Sequence, residues 1–514
     1  MRASHRWRAR RALVIFNRMR TQLLASLGLA ALTGACSAGT TATAPAPIPV
    51  AADTAPPAIA REMRGLWVAT VANIDWPSRT GLTADQQRAE LTDILDRAAT
   101  AGFNTIVLQV RPAANAVYAS AMEPWAELLS GTQGTDPGYD PLAFAVTETH
   151  ARGMELHAWV NPFRAGNARD TSRLAPTHLW NTRRELTRIY GTQLWLDPGD
   201  PAVHDHVMRV VSDIVRRYDV DAVHADDYFY PYQEHDAAGR LIDFPDSATY
   251  AATGGAASRD DWRRANVDRF IERMYREVHA IKPTLKVGIS PFGIWRPGNP
   301  ASVAGLDAYA TIYADSRKWL QQGWVDYLAP QLYWAIASPQ QSYPALLDWW
   351  IGQNSAGRHV WPGLAAYRVG DGTSSAFSAT EIPAQIALTR TRPAGTGHLL
   401  YNTTVTLKKS GGAVVGSLAP LYAQRALVPA SPWLDAIAPT APTLVVAGRT
   451  LSIAPGTGET IRWFYIRARV DGAWVTRVLF GTQRTLLLDG DPTRVLVNAA
   501  DQAGNLSGAA DWRR

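Results

Sequence analysis

Short apolar runs alternate with amphipathic stretches along most of the chain. Residues 64–70 read as a first strand. In 86–101, Leu91, Ile94, Leu95 and Ala98 recur at the spacing of one helix face, and Gly102 closes the pattern. Strands follow at 105–110, 155–160, 221–225, 285–290, 325–331, 360–365 and 397–401. Helices are predicted at 141–152, 204–218, 261–280, 302–309, 316–322, 345–351 and 381–388. Eight strand–helix units in about 340 residues predict an α/β fold of the (β/α)8 TIM-barrel type with long loops. A doubly wound sheet fits less well: no GxGxxG lies at the first turn, and no GxxxxGK[ST] occurs anywhere.

The pattern changes at both ends. Residues 426–442 are rich in Ala and Pro and read as a junction. Beyond them, short strands are predicted at 443–446, 450–453, 461–470, 474–480, 485–488 and 493–499, with Asp471-Gly472 as a turn. Residues 443–514 therefore predict a small all-β sandwich. At the start, Met19 and Arg20 precede an apolar run from Leu23 to Leu32, and Thr33-Gly34-Ala35-Cys36 follows. A basic start and a run too short to span a bilayer predict a secretory signal over 1–36. Its last residues resemble a bacterial lipobox, with Cys36 as the lipidated residue. Residues 37–60, rich in Ala, Thr and Pro, predict a disordered tether. Export to the cell envelope with a lipid anchor is expected, on the periplasmic side of the inner or outer membrane. Met1 and Met19 both remain open as the start.

Composition sharpens this picture. Cys36 is the single cysteine, which excludes an internal disulfide and a cysteine-based zinc site. The net charge of +6 misleads, because seven arginines crowd the first twenty residues with no acid among them. Without them the chain carries about −1, so no global field attracts nucleic acid. No cofactor motif, HExxH or GxSxG at a strand end is present, so neither cofactor nor metal is expected. Convergence of His157, His224, Asp226 and Asp227 on a divalent ion stays open as an alternative. Oligomeric state is not legible.

Barrels of this type place their chemistry at the carboxyl ends of the strands, and polar and aromatic residues collect there. His224 and Asp226 share one face of the fourth strand by the period of two, and Asp227 opens the loop beyond. Polar side chains facing the outer helices would be costly, so these should face the cavity. Two neighbouring carboxyls can split their pKa values, leaving one protonated, which glycoside cleavage requires. Asp226, Asp227 and Asp75 are the catalytic candidates, with Asp226 as nucleophile or base and Asp227 or Asp75 as acid. Asp226 could instead hold Arg111 or Arg164 structurally, and Asp75 could cap a turn. Arg111 either binds an acidic substrate group or pairs with an acid.

Fourteen of the nineteen Trp lie between Arg61 and Pro362. Trp67, Trp76, Tyr228, Tyr230, Trp295, Tyr333 and Trp334 fall at or near strand ends, where flat rings suit the apolar faces of sugars. With Arg111, His157, Asn161, Arg164, His224 and Gln331 they form the predicted sugar-binding set.

Several ordered motifs carry a resemblance. They are Arg64-Gly65-Leu66-Trp67, Asp75-Trp76-Pro77, Val110-Arg111-Pro112, Trp159-Val160-Asn161-Pro162, Trp195-Leu196-Asp197-Pro198, Tyr218-Asp219-Val220-Asp221, His224 through Pro231, and Pro330 through Trp334. Across 61–425 the chain resembles the glycoside-hydrolase-like ten family, exported TIM-barrel proteins or lipoproteins. The resemblance implies a glycosidase acting on bacterial cell-wall glycan, notably strands stripped of peptides. Residues 443–514 resemble a fibronectin type III module, above all in Val497 through Ser507. A looser likeness to alpha-amylase-like barrels matches His224 and Asp226 in spacing. Those enzymes carry a glutamic acid at the end of the fifth strand, where this chain has Ser290-Pro291-Phe292. The general acid must then come from Asp227, Asp75 or a loop acid such as Glu123. A non-catalytic glycan-binding envelope protein is the alternative.

Overall fold

The computed structural model describes residues 55–514; the expected signal, Cys36 and most of the expected tether lie outside the described residues. Among the described residues no helix is long and apolar enough to cross a membrane.

A curled parallel sheet dominates. Its segments are β1 (Met63–Val68), β2 (Thr105–Arg111), β3 (Glu155–Val160), β4 (Ala222–Ala225), β5 (Lys286–Ile289), β6 (Tyr327–Leu328), β7 (His359–Val360), β8 (Gly363–Ala365) and β9 (Gly397–Tyr401). The hydrogen-bonded order is β7-β6-β5-β4-β3-β2-β1-β9-β8. The two end segments, β7 and β8, are separated in the chain only by Trp361 and Pro362. The Trp361 N–H still donates to Leu328, and Pro362 accepts from the Leu399 N–H. Proline has no N–H to give the ladder, which accounts for the break in the strand expected at 360–365. The sixth strand is also shorter than its apolar run.

Helices cover the outside. They include α1 (Ala84–Thr100), α2 (Pro141–Ala151), α3 (Pro201–Arg217), α4 (Arg259–Ile281), α5 (Tyr343–Gln353) and α6 (Glu381–Arg390). Their starts follow from local chemistry. Thr83 and Gln86 form a reciprocal capping box at α1. Asp140 and Asp200 accept N–H groups at the starts of α2 and α3, each ahead of a proline at the first helical position. One expected helix is corrected. In 302–309 the chain stays irregular, with Gly305 at φ +143°, and only Ala308–Thr311 is helical. Asp307 supplies its cap by accepting the Ala310 N–H.

The side-chain alternation of β1 shows how the core divides. Leu66 and Val68 pack outward with the helix faces. Met63 and Trp67 join Val107, Tyr327, Trp361 and Leu399 within the curl of the sheet. The loop after β3 holds an element the sequence reading missed, a three-stranded antiparallel sheet of Arg164–Asn167, Gln193–Leu196 and Thr187–Tyr190.

The C-terminal strands are β10 (Thr443–Ala447), β11 (Thr450–Ala454), β12 (Trp463–Val470), β13 (Ala473–Phe480), β14 (Thr485–Leu487), β15 (Pro492–Ala500) and β16 (Ala510–Arg513). They form antiparallel sheets of order β10-β11-β14 and β13-β12-β15-β16. Residues 55–514 belong to one compact unit. Arg462 donates to Asp221 Oδ1 from Nε at 2.8 Å, and Trp433 donates to Asp326 Oδ1 at 2.7 Å. Both acids precede their strands, so these contacts sit at the amino ends of β4 and β6, opposite the candidate site.

Candidate active site

The floor of the site is a directed chain of hydrogen bonds. Trp67 Nε1 has only a proton to give, and it donates to His224 Nε2 at 3.3 Å. His224 is fully buried, and burial with the neighbouring His157 holds its pKa well below the usual histidine range, so the ring is neutral. Its proton therefore sits on Nδ1, which meets the Tyr327 hydroxyl at 2.9 Å, while Nε2 also accepts from Ser290 Oγ at 2.9 Å. Tyr327 then donates to His157 Nδ1 at 2.9 Å, and His157 Nε2 to Glu155 at 3.0 Å. Lys286 ends the chain on Glu155 at 3.0 Å. Gly288 makes it possible: a Cβ there would lie 1.9 Å from Tyr327 Cζ.

Above this floor stand Asp226 and Asp227, 4% and 3% exposed. Asn161 Nδ2 donates to Asp226 Oδ2 at 2.5 Å and Trp159 Nε1 donates to the same oxygen at 3.2 Å. The Tyr228 N–H reaches Oδ1 at 3.3 Å. Burial raises the Asp226 carboxyl, and the Asp227 charge raises it further, to about 7, against the pull of Arg164, the Tyr228 N–H and Asn161. Burial raises Asp227 as well, opposed by hydrogen bonds from the Tyr232 hydroxyl and Gln331. A pair so placed carries one proton near neutrality while the other carboxyl stays charged.

Aromatic rings wall the pair. The Arg164 guanidinium lies 4.3 Å over the Tyr228 ring, and Tyr228 meets Tyr232 edge to face at 5.5 Å. Phe292 follows Tyr232 at 6.3 Å, and Trp334 follows Phe292 at 5.7 Å. On another side Tyr333 stacks on Tyr401 at 6.2 Å, and Tyr367 sets its edge against both. Trp67 lies beneath, 6.3 Å from Tyr401, in space Gly363 leaves open: a Cβ there would come within 3.0 Å of the Trp67 ring. Arg164 has no carboxylate within 4 Å among the described residues, although its charge acts on both aspartates.

Of the expected site residues, Asp226, Asp227, Tyr228, Arg164, Gln331, Tyr333 and Trp334 come together here. Asn161, His157, His224 and Trp67 also do, but as buried supports rather than as a sugar-facing surface. Inward side chains of the parallel strands fill closed layers, so they touch other side chains. The remaining candidates turn to other partners, although the charge of Asp75 also reaches Tyr401. Asp75 accepts the Ala69 and Thr404 N–H groups at 2.9 and 2.8 Å and ties the end of β1 to the segment after β9. Trp76 is fully buried and donates to the Gln87 carbonyl of α1. Tyr230, 1% exposed, packs edge to face on Phe244 and Tyr313. Trp295 stacks on Trp349 and donates to Asp315. Arg111 is fully buried and forms a two-pronged pair with Glu123 at 2.7 and 2.5 Å. That removes Glu123 as a source of acid. Burial would raise its pKa, but Arg111 and His206 outweigh burial and bring it to about 2.

The sequence reading missed Trp159, Tyr232, Tyr367 and Tyr401. A signal existed for Trp159, which is two residues before Asn161 on β3 and shares its face. Tyr401 carried one as well, as the last residue of β9 two positions after the inward-facing Leu399, whereas Tyr232 and Tyr367 reach the pair from loops and carry no periodic mark.

Residues 62–378 match the family described as glycosyl hydrolase-like 10. The chain is 39% identical over 442 residues to glycosyl hydrolase YngK of Bacillus subtilis (strain 168), covering 82% of this chain and 86% of that protein. It is 37% identical over 342 residues to glycosyl hydrolase DigH of Escherichia coli (strain K12), covering 62% and 76%. Among solved structures, the glycoside hydrolase domain of PgaB (BpsB) from Bordetella bronchiseptica superposes with a TM-score of 0.46 at 13% identity, covering 70% of this chain and 98% of that chain.

Proposed function

Because the chain belongs to the glycosyl hydrolase-like 10 family and is a glycoside hydrolase acting on carbohydrate, we propose that it cleaves O-glycosidic bonds in bacterial cell-wall glycan freed of its peptides, with Asp226 and Asp227 as one acid–base device. The single observation behind this reading is the aspartate pair above the His224–Tyr327 floor, walled by aromatic rings. Asp226, raised to about 7, carries the shared proton to the leaving oxygen. This reverses the roles expected from the sequence, where Asp226 was the nucleophile or base. Asp227, held by Tyr232 and Gln331, stays charged against the positive charge that develops on the sugar. Family membership sets aside the non-catalytic alternative.

The substrate reading draws on three features. The aromatic walls suit sugar faces. The motif resemblance points to wall glycan. Arg164, with no carboxylate within 4 Å among the described residues, suits the carboxylate that alternate sugars of such glycan expose once the peptides are gone. We read the nine sheet segments as an eight-stranded (β/α)8 barrel in which β7 and β8 form one strand, the barrel spanning 61–425. Residues 443–514 are then a fibronectin type III-like module joined through 426–442. The leader and Cys36 would hold the protein to an envelope membrane by a lipid.

The test is a digest of wall glycan with and without its peptides, read by mass spectrometry. Release of saccharides from the stripped glycan, at a higher rate than from the peptide-bearing one, is expected. Equal rates would remove the preference, and no product from either would remove the substrate.

A further inference from the structure

Asp226 and Asp227 are consecutive residues just past the end of β4, and each feels the charge of Arg164. Both carboxyls therefore rise from the same point of the rim, the carboxyl end of β4. Two-carboxylate glycosidases instead flank the scissile bond, with carboxyls ~5–5.5 Å apart for a covalent intermediate or ~6.5–9.5 Å apart for direct attack by water. Among the described residues, three acids of neighbouring segments have partners of their own. Asp75 is held by two backbone N–H groups, and Glu123 by Arg111 and His206. Glu381 accepts from the Ile336 N–H and from Gln385. The end of β5 offers Ser290, whose hydroxyl is spent on His224.

A pair rising from one point of the rim suits a substrate that brings its own nucleophile. Resting on the wall-glycan reading above, we propose that Asp227 is a positioning carboxylate for the 2-acetamido group of the sugar being cleaved, and that the acetamido oxygen, not a protein side chain, attacks the anomeric carbon. In the first step that oxygen forms a bond to C1 as the C1–O glycosidic bond breaks. The Asp226 proton passes to the leaving oxygen, and the amide proton is drawn toward Asp227, giving a bicyclic oxazoline. In the second step water adds to C1 and loses a proton to Asp226. The ring opens, and the nitrogen recovers its proton from Asp227. Both partners of the pair return to their starting state, and the product keeps its anomeric configuration.

The surroundings fit these roles. The Tyr232 hydroxyl and Gln331 fix Asp227 in place. Tyr333, within electrostatic reach of Asp227, and Tyr401, within reach of Asp226, stack on one another with Tyr367 against both. Together they offer an apolar wall to the acetamido methyl.

The test digests one glycan preparation in three forms with the full-length protein: N-acetylated, chemically de-N-acetylated, and re-acetylated. The de-N-acetylated form should lose about 100-fold or more in kcat, because an intramolecular nucleophile is gone. Re-acetylation should restore the rate, and fresh products should show the retained anomer by NMR. Equal rates, a loss confined to KM, or an inverted anomer overturns the mechanism and leaves wall glycan as the substrate. Cleavage of none of the three removes that reading and the mechanism with it.

Discussion

Asn161 donates to Asp226 Oδ2 at 2.5 Å with an amide whose orientation is set by Gln109. Gln109 Oε1 accepts the N–H groups of Thr70 and Val71, so its amide nitrogen must face Asn161 Oδ1, which it meets at 2.6 Å. The Asn161 N–H then has one direction left, toward Asp226. That bond favours the charged carboxylate and pulls its pKa down. Asn161→Ala should move the alkaline limb of the kcat/KM profile to higher pH and lower its plateau by about 10-fold, as for a misplaced rather than a missing acid. A pH–rate series on glycan checks both.

The raised Asp226 also predicts a stability effect. Its folded pKa of about 7 lies above the ordinary 3.8. The carboxyl is thus fully compatible with the fold below about pH 4, and stability falls as pH rises through about 7. Asp226→Asn removes the buried charge, so the variant should be more stable than wild type at pH 8, by about 2–4 kcal/mol. The difference should shrink toward pH 4. Urea unfolding at the two pH values measures it.

Glu123 has the opposite sign. Arg111 and His206 hold it at about 2 against burial. Its pairing therefore stabilises the fold above about pH 4.5, and the benefit disappears as pH falls toward 2. Glu123→Gln leaves Arg111 buried with one charge uncompensated and should cost about 3–5 kcal/mol at pH 7. Chemical denaturation of the variant between pH 7 and pH 3 should show the gap closing.

Arg164 tests the substrate. It is half-buried over Tyr228 with no carboxylate within 4 Å among the described residues. Arg164→Met should raise KM for peptide-free glycan about 10-fold, the loss of a charge-assisted contact. Glycan whose carboxyls have been reduced should show no such penalty. An equal effect on both would mean that Arg164 acts on the aspartates instead.

Much of this architecture was legible because its signals are local. The helix expected from 141 starts there, capped by Asp140 ahead of Pro141, while the one expected from 204 starts earlier, at Pro201, where Asp200 caps it. His224 and Asp226 fall on one face because a strand has a period of two. The failures are non-local. The sequence left Arg111 open between a substrate anion and an acid; its partner Glu123 comes from the loop beyond β2. Trp76 looks like a cleft aromatic until α1 covers it. Tyr230 stands two residues past Tyr228 in the same aromatic run, but Phe244 and Tyr313, distant in the chain, enclose it. Tyr367 and Tyr401 reach the site through the return of β8 and β9 to β1, a relationship no short stretch of sequence encodes.

The central claim is that the aspartate pair performs glycan cleavage, and one comparison tests it most directly. Wild type and Asp226→Asn are incubated with peptide-free wall glycan, and released saccharides are quantified by mass spectrometry, with circular dichroism confirming that both are folded. The account predicts a loss of about 10³-fold in the variant, within the range for removal of a general acid. Cleavage by folded Asp226→Asn at the wild-type rate would contradict it.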